Sequence, residues 1–147
     1  MKLLSKISVL IFSVVALSYD AVLEKEPLCK PGTNHSYQEV VSKEITWSNI
    51  FNQTPEEYFV YFYSPFCGHC LSIKDLVIGT ALCGKKDIYF VVSSIEVIIT
   101  HDTGSTIGAT SIEEMWIGGY PTLLQIRGGA LMMNIAGATA ICDYLTD

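Results

Sequence analysis

The sequence predicts one α/β domain built on a mixed central sheet flanked by helices, and three observations predict it. Residues 58–63, YFVYFY, form an aromatic and β-branched run without polar alternation, as expected for a strand buried on both faces. A helical pattern and a second apolar run, residues 88–92, follow it. A strand, a helix and a strand in this order make a βαβ unit, so these two strands should be parallel. The apolar runs 123–126 and 131–135 are separated by the turn Arg127-Gly128-Gly129, which predicts an antiparallel hairpin. At 147 residues, half of them apolar, the chain has room for one core and excludes a multidomain machine.

The chain opens with Lys2 and Lys6, an apolar stretch over residues 7–17, and the small residues Ala16 and Ser18. This reads as a secretory signal peptide over residues 1–18, because the apolar run is about a dozen residues and a spanning helix needs roughly 20. Residues 19–38 contain Pro27, Pro31 and Gly32 and no period, and read as a linker before a domain over residues 39–147. Asn34-His35-Ser36 and Asn52-Gln53-Thr54 match the short glycosylation acceptor pattern. The formal charge of −6, about −8 once Lys2 and Lys6 are removed, argues against a nucleic-acid partner.

Within the domain, residues 39–46 are expected to supply a short first strand, and Ser48 to cap a short helix carrying Ile50 and Phe51. After the strand 58–63, Leu71, Leu76, Val77 and Leu82 fall at near-helical spacing, with Cys83-Gly84 as the stop. Residues 100–111 are rich in Gly, Thr and Ser and predict a loop. Ser111 with Glu114 three positions on predicts a short helix carrying Met115, Trp116 and Ile117, ended by Gly118-Gly119. Residues 138–145, with Ile141, Tyr144 and Leu145 on one face, close the chain as a helix. Trp47 and Trp116 are expected in the core, and His35 and His101 in solvent.

Chemistry concentrates at Cys67-Gly68-His69-Cys70, at the junction of the buried strand and the first helix. There the first sulfur sits beside unpaired backbone N–H groups and the helix dipole, which favour a thiolate. Cys67 is the candidate attacking sulfur, and Cys70, one turn on and less exposed, is placed to resolve a mixed disulfide. His69 favours the reduced form, which makes the disulfide a stronger oxidant. The spacing alone is also compatible with an inert staple, or with half of a zinc site if His101, His35 or Cys83 were brought to it. The chain has five cysteines. If Cys67 and Cys70 pair, Cys29, Cys83 and Cys142 remain, and at least one is free or pairs with another chain. Cys83 and Cys142 read as small buried hydrophobes. Cys29, in the polar segment, reads as a crosslinking or partner thiol.

YFYSPFCGHC, followed about fifty residues on by GGYPTLLQIRGG, resembles the catalytic domain of protein disulfide isomerases within the thioredoxin superfamily. The resemblance spans residues 40–145. It implies a thioredoxin-like fold and thiol–disulfide exchange on cysteine-containing protein substrates. Cys67 and Cys70 would be the catalytic pair, tuned by Gly68, His69, Phe66 and Tyr61. A cis Tyr120-Pro121 bond would lie beside them, and Tyr120, Pro121 and Thr122 would dock an extended substrate.

No metal or organic cofactor is implied beyond a redox-active disulfide between Cys67 and Cys70, which a separate redox partner must regenerate. The expected location is the secretory pathway, in the endoplasmic reticulum lumen or outside the cell, with a bacterial envelope as the alternative and no stable membrane span after signal cleavage. The alternative activities are an envelope reductant and a non-catalytic client-binding domain. This chain departs from the family where Tyr61 stands in place of a buried acid, where Phe66 replaces Trp, and where Ala138 follows Ala136-Gly137 in place of a nearby Arg. The helix after Cys70 also has Asp75 near the place of its customary proline. Together these departures predict that deprotonation of Cys70 is less assisted than in the best isomerases.

Overall fold

A computed structural model describes residues 34–147. The signal peptide expected over residues 1–18, most of the linker and Cys29 lie outside the described residues.

The four strands are β1 (Glu57–Tyr63), β2 (Ile88–Val92), β3 (Thr122–Arg127) and β4 (Ala130–Ala136), and the two α-helices are α1 (Gly68–Leu82) and α2 (Ala138–Thr146). Spatial order is β2-β1-β3-β4, with β1 parallel to β2 and antiparallel to β3, and β3 antiparallel to β4. This is the mixed sheet flanked by helices that the apolar runs predict. The β3–β4 turn uses Gly128 and Gly129 at φ 57° and 76°, values that suit a tight hairpin and that other residues adopt at a cost.

Strand β1 shows no alternation because both its faces are covered. Phe59, Tyr61 and Tyr63 pack with Cys70, Ile73, Val77 and Ile78 of α1 and with Ile141 of α2. Tyr58, Val60 and Phe62 face Trp47, Ile50, Met115 and Ile117 on the other side. Tyr61 and Phe62 are both fully buried, each contributing about 2 kcal/mol of transfer free energy. Helix α1 buries Ile73, Val77, Ile78 and Ala81 while Leu71 is half exposed, so its core face is rotated from the expected one.

Three expected elements differ. Residues 39–46 do not form a strand: Tyr37–Lys43 is a 3-10 helix closed by a capping box, in which the Ser36 side chain accepts from Gln38 N–H and the Glu39 carboxylate accepts from Ser36 N–H at 2.6 Å. This local capping outweighs the short apolar pattern, burying Val40 and exposing Val41. Strand character survives only where Glu44 bridges Phe90 and Ile45 N–H donates to Phe90 O at 2.8 Å, covering part of the β2 edge.

Ser111 likewise opens only a single 3-10 turn, Ile112–Glu114, without a side-chain cap. Met115 and Ile117 then follow in extended form, both fully buried, with Trp116 between them half exposed and donating its indole N–H to Asp102 O. Ile117 bridges Ile99. A period of two serves this stretch better than a helix because it puts both apolar side chains under the sheet. The helix expected after Ser48 is also a 3-10 turn, Trp47–Asn49, whose N-cap is Thr46, and it sets Trp47 and Ile50 in the second core.

Candidate active site at the start of helix α1

The chain leaves β1 at Tyr63 and turns sharply, with Cys67 N–H donating to Ser64 O at 3.1 Å, before α1 begins at Gly68. Cys67 is the N-cap of α1. Its sulfur takes the place of a capping oxygen, accepting the Cys70 N–H at 3.3 Å. The sequence thus puts a sulfur where a helix presents otherwise unpaired donors and its positive end. Cys67 is half-buried, Cys70 fully buried behind it, and both are free thiols.

The second segment closes the site. The Tyr120-Pro121 peptide bond is cis, and the Cys67 thiol donates to the Tyr120 carbonyl at 3.6 Å. Pro121 is buried and its carbonyl accepts from Gly137 N–H at 2.9 Å, tying the segment to the start of α2. Thr122 is buried with its hydroxyl donating to Gly119 O at 2.7 Å. Tyr120, Pro121, His69, Ala136, Gly137 and Ala138 line a groove of about 370 Å³ between the start of α1 and the start of α2. Gly68 and His69 are exposed at the start of α1, and Phe66 stands 94% exposed beside it.

Burial decides the electrostatics behind the pair. The Cys70 thiol is pushed up to about 12 by desolvation and by its hydrogen bond with Cys67, offset in part by a backbone hydrogen bond from Ser64. Burial pushes the Tyr61 phenol strongly upward, and Tyr37 up to about 12. Tyr61 shares the buried core with Cys70, and Tyr37 and Cys67 pack against that core. The Tyr61 and Tyr37 hydroxyls lie close enough to influence one another yet reach no hydrogen-bond geometry, and both are buried.

Tyr37 is the residue the sequence reading missed. It stacks on Tyr63 with ring centroids 3.8 Å apart, and Tyr63 donates to Glu44 at 2.8 Å. The Ser-x-x-Glu signature at residues 36–39 was the available signal, since it starts a helical turn that presents Tyr37 to the sheet.

Other expectations are corrected. His35 is buried rather than solvated: its N–H donates to Asp75 at 3.0 Å and its ring lies 3.2 Å from Glu39, joining the 3-10 helix to α1. Cys83 is disulfide-bonded rather than a packing thiol, whereas Cys142 is a half-buried free thiol packed against the core. Trp116 is half exposed rather than a core residue, whereas Trp47 is buried and His101 exposed, as expected. Among the described residues no three His, Cys, Asp or Glu side chains converge as metal ligands would.

A protein-family model described as Thioredoxin matches residues 38–146. No curated protein sequence matches the chain. Among solved structures the chain is similar to mitochondrial thioredoxin 3 of Saccharomyces cerevisiae, at 19% identity, covering 77% of this chain and 99% of that one with a TM-score of 0.49. It is also similar to a thioredoxin of Plasmodium falciparum (18% identity, 70% and 95% coverage, TM-score 0.44) and to thioredoxin f2 of Chlamydomonas reinhardtii (16%, 70% and 92%, 0.42).

Proposed function

Because the chain belongs to the thioredoxin family, whose general activity is thiol–disulfide oxidoreduction, we propose that it is an exported oxidoreductase that forms or rearranges disulfides in protein substrates through Cys67 and Cys70. The observation that supports this reading best is the placement of the half-buried Cys67 sulfur on the α1 N-terminus, 3.6 Å from the Tyr120 carbonyl and directly in front of the buried Cys70.

In oxidation, a substrate thiolate attacks Cys67 of the Cys67–Cys70 disulfide and Cys70 leaves with the electron pair and takes a proton. A second substrate thiolate then attacks the substrate sulfur of the mixed disulfide, and Cys67 leaves. The product is a substrate disulfide and a reduced pair, which an external disulfide partner must reoxidise. An extended substrate segment lies along the Tyr120, Pro121 and Ala138 groove, aligning its sulfur with Cys67. The proposed site of action is the secretory pathway, consistent with the signal-like first residues.

Equilibration with glutathione tests the direction. A potential of about −180 mV supports disulfide donation, and one of about −270 mV makes the chain a reductant. Parallel insulin-reduction and scrambled-ribonuclease assays test exchange itself, and the absence of both activities would leave only a client-binding role.

A further inference from the structure

Resolution of a mixed disulfide requires Cys70 to lose its proton, and Cys70 has no exposed surface from which to lose it. The titratable groups that face it are Cys67 on its own helix, Tyr61 from β1, Tyr37 from the 3-10 helix and Tyr120 from the approach to β3. None of these is a carboxylate. Two of them, Tyr61 and Tyr37, carry buried hydroxyls without a hydrogen-bond partner. Buried polar groups are rarely left so, and a pair of hydroxyls beside a thiol forms a set that one internal water can bridge.

The two rings also differ in a useful way. Tyr61 is fully buried within the core that contains Cys70. Tyr37 is only half-buried and lines a second groove of about 340 Å³, with Tyr63, Pro65, Leu71 and Lys74, on the flank of α1. Tyr61 therefore lies wholly within the core, whereas the Tyr37 ring forms part of the wall of an open groove with its own hydroxyl buried.

We propose that the Tyr61 and Tyr37 hydroxyls form the proton route between the Cys70 thiol and the groove at Tyr37, used each time Cys70 resolves a mixed disulfide on Cys67. The proposal rests on the exchange activity proposed above. In that step the Cys70 sulfur forms a bond to the Cys67 sulfur, the bond from Cys67 to the substrate sulfur breaks, and the electron pair leaves on the substrate thiolate. The Cys70 proton passes along the two hydroxyls, each accepting one proton as it gives up another, and is taken by solvent base in the groove. Neither phenol ionises, which suits rings whose burial opposes the charged form. Tyr61 and Tyr37 are positioning residues for a proton, not reacting groups.

The test uses the chain carrying Cys142→Ala, with Cys67 and Cys70 as free thiols and the Cys83 disulfide left intact, mixed with an aryl disulfide that releases a coloured thiolate. Attack by Cys67 releases a first equivalent, and resolution by Cys70 releases a second. With Tyr61→Phe or Tyr37→Phe, each of which keeps its ring, the first burst is expected at the parent rate and the second to slow roughly tenfold or more at neutral pH. In these variants the second burst should rise about tenfold per pH unit, following thiolate formation by hydroxide alone, whereas the parent rises less steeply. Heavy water should slow the second burst of the parent and not the first. Circular dichroism and a cooperative urea transition report that each variant is folded, and Tyr37→Phe changes a half-buried residue should Tyr61→Phe fail to fold. Second bursts at the parent rate and pH slope in the folded variants would overturn the proton route alone. Absence of the first burst in the parent would overturn the exchange reading and the route with it.

Discussion

The Cys67 thiol lies 3.6 Å from the carbonyl oxygen of Tyr120, a residue fifty-three positions further along the chain. Strand β3 runs antiparallel beside β1, with Thr122 opposite Phe62, and that pairing returns the chain to the mouth of α1. The reactive sulfur and the backbone that would dock a substrate are therefore held by one strand pair.

Removing the two sulfurs separately should give different products. Cys67→Ser is expected to abolish disulfide exchange, whereas Cys70→Ser should accumulate substrates joined to Cys67 through a disulfide, seen as slower bands on non-reducing gels. Equal trapping by both variants would contradict the order of attack.

Phe66 is 94% exposed beside the pair and contributes little to the core. Phe66→Ala should leave the urea midpoint equivalent to within about 0.5 kcal/mol. It should raise KM for protein disulfides several-fold while leaving small aliphatic disulfides unaffected, because only a chain long enough to lie across the ring loses contact. An equal change for both substrate types would count against a docking role.

The reduced protein should lose stability in alkali. Cys70 rises from its ordinary value of 9.0, and Tyr37, Tyr61 and Tyr63 from 10.0, with burial the largest cause for each. Below pH 9 these groups are protonated in both folded and unfolded chains, so their contribution is fully present. As pH climbs from about 9 to 12 the unfolded chain releases protons first and stability falls. Urea midpoints at pH 8, 10 and 11 check this, and an unchanged midpoint would show that these groups are not desolvated.

Leu123 is fully buried on an inner strand, in the core beneath α1. Leu123→Ala should cost 2–5 kcal/mol, about the range for deleting a buried leucine, measured by denaturant titration. Ile95→Ala, at a fully exposed position, is the control and should change stability by less than about 0.5 kcal/mol.

Gly118 has no room for a side chain: a Cβ there would stand 3.1 Å from Ala136 Cβ and 3.3 Å from Thr103 Cγ2. Ala136 also lines the groove shared with His69, Tyr120 and Pro121. Gly118→Ala should therefore cost about 1 kcal/mol through overpacking and weaken exchange together with stability. A thermal midpoint equal to the parent's would mean that Ala136 yields freely.

The residues alone determined the strands and the helix that matter most. An apolar run such as 58–63 can exist in water only if both its faces are covered, and the double glycine at 128 and 129 allows little except a tight hairpin. The two motifs of the site were legible for the same reason: Cys67 and Cys70 share a helical turn, and the Tyr120-Pro121 segment precedes a strand of clear pattern. What the local pattern misassigned were the short segments around Val40 and Met115, where propensity is weak and a capping box or the demand for buried side chains decides the backbone. Only the tertiary structure placed Tyr37 behind Cys70, buried His35 against Asp75, and left two hydroxyls unpartnered beside a buried thiol. Such neighbourhoods depend on which distant segments a strand pair and a helix bring together, and desolvation, the cause that dominates at Cys70 and Tyr61, is a property of that enclosure and not of the residue itself.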